Sequence, residues 1–370
     1  MAQIFKRGNV WAYRVWIDSK HSKSKGGFKR KLDAQRAATE LEDKKNKNLL
    51  SVNEGISFPD YFQDWINTYK IGRLDRTTES KYSSASRVIG DYFTGVALKD
   101  VTTAQYQKML DEYAKHHAKD TTRRLNSYVK KSIKYAINDG LLFRDFTFGV
   151  IIDGAESKDE SLKFLELNEA EQLKRICLST WSLLSVTRAE ILFGLLTGCR
   201  YGEVTGVTWD CVDFENNLVT INKSYDYVSR SGFKPTKTES SNRTISITKA
   251  TATMLKELQF QQKKLYLKQG FDNPSNQVFI NNRHQVPSSN AVNKTLASIL
   301  KEIDANNIIT FHGLRHTHAS MLIAQGISID YISERLGHSN VTMTYRVYAH
   351  LLKETREKED ESAILFLSNL

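Results

Sequence analysis

The stretch Thr310-Phe-His312-Gly-Leu-Arg315-His316 gathers three cationic or cationisable side chains within a few residues. Leu336-Gly337-His338 follows it, and then Tyr348-Ala-His350, with the tyrosine ten positions after His338. A further arginine lies far upstream, in Leu196-Thr-Gly-Cys-Arg200-Tyr-Gly-Glu203. His312 and Arg315 are three apart on a helix predicted to start near Thr310 and to end near Gly326, so they share one face. Ile329, Ile332 and Leu336 predict a short second helix that Gly337 caps, which leaves His338 just past a helix end. Positive groups with one exposed phenol point to a phosphodiester that is held by charge and attacked by a tyrosine.

The chemistry explains the choice of residue types. Cleaving a phosphodiester requires neutralising charge on the two non-bridging oxygens as phosphorus becomes pentacoordinate. A metal ion does this in many enzymes, but the chain has no Asp/Glu cluster suited to Mg²⁺. Arg200 and Arg315 do it instead, because guanidinium is a planar fork matched to phosphate and stays charged. His312 is suited to shuttling a proton or bonding a phosphate oxygen. His316 and His318 are the nearby decoys. His312 and His316 have the four-residue spacing of a zinc pair, but Gly313 stands where a His-Glu-x-x-His site needs its glutamate. A phenol titrates near 10, so the nucleophile needs a base or strongly positive surroundings. Tyr348 is the proposed nucleophile, on its spacing from His338, with Tyr345 as the competitor. Glu203 is expected to orient local structure rather than to do chemistry.

On these residues the chain resembles the tyrosine recombinase family, and within it the integrases of phages and mobile elements. The His-x-x-Arg, Leu-Gly-His and Tyr spacing is one multi-part signature, and Thr-Gly-x-Arg-x-x-Glu is a second, independent one. The resemblance covers roughly the last 200 residues, and the two upstream segments fit weaker family patterns. It implies a multidomain chain: a small β-sheet-plus-helix N-terminal domain, an all-α core-binding (SAM-like) domain, and a mainly α (α+β) catalytic domain. It implies that His338 bonds the scissile phosphate. It also implies that a lysine on a β-hairpin loop protonates the leaving 5′ oxygen. In Phe233-Lys-Pro-Thr-Lys-Thr-Glu-Ser-Ser-Asn-Arg243, Lys237 fits that role best and Lys234 is the alternative. The remaining implications are a 3′-phosphotyrosyl intermediate and exchange through a Holliday junction by a homotetramer, with no cofactor, metal or ATP. A host DNA-bending protein and an excision factor are admitted as further partners. The tail ends in Ala363-Ile-Leu-Phe-Leu367, an apolar patch that in the family docks onto a neighbouring subunit.

Composition agrees with a nucleic-acid partner. The 370 residues carry a formal net charge of +11 and a pI of about 9.3, which favours a polyanion. No run of about 18 apolar residues occurs. Met-Ala-Gln-Ile-Phe-Lys-Arg does not read as a signal peptide, so the expected location is the cytoplasm, with no membrane partner. Cys177, Cys199 and Cys211 have no paired spacing and read as reduced structural thiols.

Three segments are expected. In residues 1–50, an arm-type DNA-binding domain, Val10-Trp-Ala-Tyr-Arg-Val-Trp-Ile17 alternates as a strand after an Arg7-Gly-Asn turn. A basic loop then leads to a third strand around Phe28-Lys-Arg-Lys and a helix from about Leu32 to Lys47. Arg14, Lys29 and Lys31 are candidates for a sheet face laid in the major groove of double-stranded DNA at arm-type sites. In residues 57–153, the helical core-binding domain, Leu125, Val129, Ser132, Ile133 and Ala136 form one helical stripe. Arg123, Arg124, Lys130, Lys131 and Lys134 lie off that stripe as DNA-contact candidates at core-type sites. Tyr61, Trp65, Tyr106 and Tyr113 read as core. Gly154–Lys163 reads as an interdomain linker, and residues 164–370 form the catalytic domain and tail. Two rival readings are a type IB topoisomerase with the same chemistry, and a helix-turn-helix regulator using residues 311–337 without Arg200 or Tyr348.

Overall fold

Alternation in Val10–Trp16 turns Tyr13 and Val15 inward and Arg14 outward, and this strand, β2, is the centre of an antiparallel sheet. The structure is a computed structural model that describes residues 2–16, 22–46, 55–156, 164–236, 238–345, 347–348, 364 and 367–368. These fall into two compact units, Met1–Ser157 and Lys158–Leu370. In the first unit, β1 (Gln3–Arg7) pairs with β2 through Arg7 and Val10 at the expected turn. β3 is Ser22–Phe28, earlier than the sequence suggested: the residues read as the end of a basic loop are the strand. Lys29 therefore follows the strand. Lys31 opens α1 (Lys31–Asn46), and its ammonium lies 5.5 Å from the Trp11 ring centroid. Tyr13, Val15 and Ala38 close a small core between α1 and the sheet.

Four helices make a second, separate core in this unit: α2 (Phe58–Tyr69), α3 (Arg76–Phe93), α4 (Thr103–Ala114) and α5 (Lys119–Asn138). Ser57 caps α2 by accepting from the Asp60 amide, with proline in the first turn. The expected stripe of α5 is buried, and Tyr61, Trp65 and Tyr106 are buried with it. Tyr113 is half-buried against the same core. The segment expected to be a linker starts pinned: the Lys119 amide donates to the Ala155 carbonyl, and the Ala155 amide to that of His117. Residues 157–163 lie outside the described residues.

The second unit is built around α7 (Val186–Thr197), which is apolar on nearly every side and correspondingly buried. It packs against α6 (Leu167–Thr180), α10 (Ser289–Glu302) and α11 (Phe311–Ala324). A short helix, α8 (Tyr201–Gly206), follows it. Strands β4 (Val212–Asp213), β5 (Leu218–Ile221) and β8 (Arg243–Ser246) form an antiparallel sheet. The hairpin β6 (Ser224–Tyr225) and β7 (Phe233–Lys234) interrupts it. The long helix α9 (Lys249–Gln269) follows the sheet, and α12 (Ile329–Leu336) packs on α11 and β8. Cys177, Cys199 and Cys211 are buried free thiols. No described helix is long and apolar enough to cross a membrane.

Gly198 ends α7 at φ +67°, and a Cβ there would lie 2.6 Å from Leu336 Cδ2 and 2.8 Å from the His318 ring. Gly270, which ends α9 at φ +64°, faces open space. Gly270→Ala is expected to cost about 1 kcal/mol from backbone strain alone. Gly198→Ala adds an overpacking cost of about 1–3 kcal/mol. Urea unfolding of the two variants side by side checks the difference.

Candidate active site

Local structure aims the arginines. Arg200 is the N-cap of α8, directly after the α7 turn, and its backbone N–H donates to Glu203 Oε2 at 3.0 Å. Its Nη1 donates to Glu203 Oε1 at 2.7 Å, so the side chain is held in place while partly exposed. Glu203 is almost fully buried and accepts a second guanidinium, Arg243 Nη2, at 3.0 Å. Burial alone would raise the Glu203 carboxyl. Arg243 and Arg200 outweigh that and hold it below the ordinary carboxylate range. Arg243 also donates to the Arg335 carbonyl at 2.6 Å, at the end of α12, and to the Ser241 carbonyl at 2.8 Å.

Arg315 sits on α11 and is 3 % exposed. Its Nη1 donates to the Gly198 carbonyl at 2.9 Å, while Nη2 is buried and has no hydrogen-bond partner among the described residues. Loss of hydration, then Arg200, brings its pKa down to about 10, so it remains a cation at neutral pH. His312 lies one turn before His316, with ring centroids 5.1 Å apart. One side of His312 reaches solvent, yet crowding by protein, then His316, Arg315 and Arg200, pushes its pKa to about 4.

Gly337 caps α12 at φ +70°, as expected, and delivers His338 beyond the helix end. His338 Nδ1 is 2.7 Å from Thr344 Oγ1, which leaves Nε2 as the nitrogen able to face a ligand. Burial, then Arg315, Arg200 and Arg243, push His338 to about 4. The four expected residues Arg200, His312, Arg315 and His338 therefore share one electrostatic neighbourhood.

Tyr348 departs from expectation. It is 2 % exposed rather than an exposed phenol, packed with Ala319, Ile323, Ile332 and Leu336 between α11 and α12. Its hydroxyl is 3.1 Å from His316 Nδ1. The competitor Tyr345 is 47 % exposed. Lys237 lies outside the described residues, and Lys234 is an exposed residue of β7. His318, read as a bystander, is a buried strut: Nδ1 is 2.9 Å from the Leu195 carbonyl, and Nε2 accepts from Arg335 Nε at 3.1 Å. Two further residues belong to the same constellation: His316, set aside above as a decoy to His312, meets Tyr348, and Arg243 meets Glu203 from a strand whose pattern gives no sign of the ion pair.

The candidate DNA contacts lie in the first unit. Arg14 is exposed on β2, with its guanidinium 6.0 Å from the Phe5 ring centroid, and Lys29 and Lys31 are exposed. Arg123, Arg124, Lys130, Lys131 and Lys134 are all exposed on α5, and Arg123 is ion-paired with Asp120. Lys70 and Arg73 extend this basic surface. Burial, then Lys131 and Arg73, lower the Lys70 pKa, and its ammonium lies 4.6 Å from the Trp65 ring centroid.

Residues 163–355, just over half of the chain, match the Phage integrase family, and the chain belongs to it. It is a tyrosine recombinase of the integrase type, an enzyme of site-specific DNA recombination. A tyrosine recombinase XerC-like protein of Caldanaerobacter subterraneus is 26% identical over 381 residues, covering 95% of each chain. Among solved structures, the Tn1549 transposon integrase in complex with circular intermediate DNA superposes with a TM-score of 0.67 at 18% identity, over 82% of this chain and 99% of that one. A lambda integrase tetramer bound to a Holliday junction gives 0.58 at 17%, over 92% and 96%.

His312, His338 and His318, the last pushed to about 3 by burial and then Arg335, are all neutral in the folded protein at pH 7. Unfolded, each titrates near 6.5. The unfolded chain therefore binds more protons between pH 6.5 and about 4, and folding stability falls as pH drops through that window. Buried His318 contributes a slope of up to about 1.4 kcal/mol per pH unit, and exposed His312 contributes less because solvent screens it. Urea titrations from pH 7.5 to 4.5 are expected to show that loss, with a shallower slope in His318→Asn.

Proposed function

We propose that Tyr348 is the nucleophile, that Arg200 and Arg315 clamp the scissile phosphate, and that His312 and His338 bond its oxygens. The observation that carries this reading is Arg315: a buried cation with one donor tied to Gly198 and a second donor unpaired. An anionic oxygen is the partner such a donor fits. Arg200 adds a second guanidinium whose position Glu203 sets.

In this reading the Tyr348 oxygen attacks phosphorus and makes a 3′-phosphotyrosyl link, while the 5′ oxygen leaves with a proton from Lys237. The 5′ hydroxyl of the partner duplex then attacks the phosphotyrosine, and a Holliday junction results. Each phosphoester is exchanged for another, so neither ATP nor a metal is required. In this reading the phosphate's charge is met by the guanidiniums of Arg200 and Arg315.

The chain works as a homotetramer on two DNA sites inside a prokaryotic cell, a reading supported by the likeness to the lambda assembly. Residues 1–50 serve as the arm-binding domain. Residues 57–153 serve as the core-binding domain, with α5 and its Lys70–Arg73 extension facing core DNA. The tail after Asp360, mostly outside the described residues, docks on a neighbouring protomer; Ile364 and Leu367 are exposed apolar groups suited to it.

The test is trapping with SDS, in EDTA and without ATP, on supercoiled DNA carrying the attachment region. Wild type and Tyr345→Phe are expected to give a covalent adduct and Tyr348→Phe none, with DNA binding kept. An adduct in Tyr348→Phe would move the nucleophile elsewhere. Arg315→Lys and Arg200→Lys are each expected to slow cleavage by about 10²–10³-fold, the usual loss for one preorganised donor. Deleting residues from Asp360 onward is expected to abolish synapsis while leaving single-site binding intact.

A further inference from the structure

We propose that His316 is the general base for the tyrosine: its Nδ1 takes the Tyr348 proton as the phenol oxygen attacks phosphorus. This rests on Tyr348 being the nucleophile, as proposed above.

Three observations on the page converge. First, His316 Nδ1 lies 3.1 Å from the Tyr348 hydroxyl, within the reach that proton transfer needs. Second, the arrangement is supported from both sides. His316 belongs to the middle of α11, where the Ser320 hydroxyl bonds its carbonyl, and Tyr348 is locked by apolar packing against Ala319, Ile323, Ile332 and Leu336. Third, the other two histidines of the site are differently engaged. His338 spends Nδ1 on Thr344, and His312 faces the His316 ring edge-on, at an interplanar angle of 87°. Among the described residues, the charged and titratable neighbours of His316 include Tyr348 and His312 in ring contact, Arg315 beside it on the helix, and His338 across the site. Geometry alone sets the pairing: Nδ1 is the ring nitrogen that meets the phenol oxygen.

The step balances. The Tyr348 O–H bond breaks and its proton moves to Nδ1, which converts the ring to imidazolium. The oxygen–phosphorus bond forms, the bond from phosphorus to the 5′ oxygen breaks, and that oxygen leaves with the Lys237 proton. On resealing, the incoming 5′ hydroxyl gives its proton back to the lysine and attacks phosphorus. The departing phenolate recovers its proton from His316, so the enzyme returns to its starting state without a co-reactant.

Single-turnover cleavage of a nicked suicide duplex tests this, with His316→Ala, His316→Gln, Tyr348→Phe and wild type compared at equal DNA occupancy. His316→Ala is expected to cleave about 10²–10⁴-fold more slowly, the usual yield of general-base catalysis. Added imidazole should recover part of the rate. His316→Gln can still bond the hydroxyl but cannot take its proton, so it should be as slow as the alanine variant. The loss should persist on a 5′-bridging phosphorothiolate, whose thiolate leaves without protonation. A wild-type rate in His316→Gln, a loss that imidazole does not relieve, or a loss that vanishes on the phosphorothiolate would each overturn the proposal. Tyr348→Phe keeps the two readings apart: an adduct there sinks the nucleophile, whereas no adduct there with a fast His316→Ala sinks only the base.

Discussion

Everything at the site depends on the buried carboxylate of Glu203. It is the acidic group that meets both Arg200 and Arg243, and Arg315 stands near enough to feel all three. Three guanidiniums around one carboxylate leave an excess of positive charge in a region partly shielded from water. Such an arrangement is not optimal for stability. Buried ion pairs are commonly no better than apolar residues of the same volume, although breaking one by removing a single partner is severely destabilising. What Glu203 secures is geometry. Its two oxygens fix Arg200 on one side and Arg243 on the other, and Arg243 reaches on to the end of α12, where His338 begins. Three segments distant in sequence are thereby registered to one another before any DNA arrives.

The same excess charge sets the state of the histidines. His312 and His338 are neutral because crowding by protein and the neighbouring groups, His316 beside His312 and the arginines around both, disfavour a further cation. A neutral imidazole can donate from one nitrogen and accept at the other, which suits groups that must bond phosphate oxygens or pass a proton. In the proposed reading, an entering phosphodiester brings negative charge, offsets the arginines and so raises the histidine pKa values. Phosphate binding and imidazole protonation are therefore coupled with the same sign.

How much of this could be read from the sequence follows from how local each feature is. The α11 and α12 helices, their glycine ends and the placing of His338 depend on residues within one or two turns, and the spacing alone gave them. The α5 stripe was legible for the same reason. β3 was not: Ser22–Phe28 is rich in serine, lysine and glycine and has little intrinsic strand preference. It is a strand because β2 pairs with it from Trp16 to Trp11. The Glu203–Arg243 pair spans 40 residues and joins a helix to a strand, so no periodicity reports it. Tyr348 was expected at the surface and is buried. Its burial is a property of the α11–α12 crevice, which forms only when both helices are packed.

That crevice links the fold to the chemistry most directly. His312, Arg315 and His316 occupy adjacent places on the first two turns of α11, and the apolar residues Ala319 and Ile323 occupy the next two. One helix therefore carries the cationic and imidazole groups at one end and the packing surface for the tyrosine at the other. Because the ring of Tyr348 is seated on the second part, its hydroxyl is directed at the first, where it meets His316. A rigid helix converts apolar packing into the direction of the Tyr348 hydroxyl, the direction that the proposed nucleophile requires. Shifting the tyrosine by one residue would rotate it out of the crevice. The exposure of Tyr345 fits this constraint: three residues earlier in the chain, the same side chain faces solvent and has no such seat.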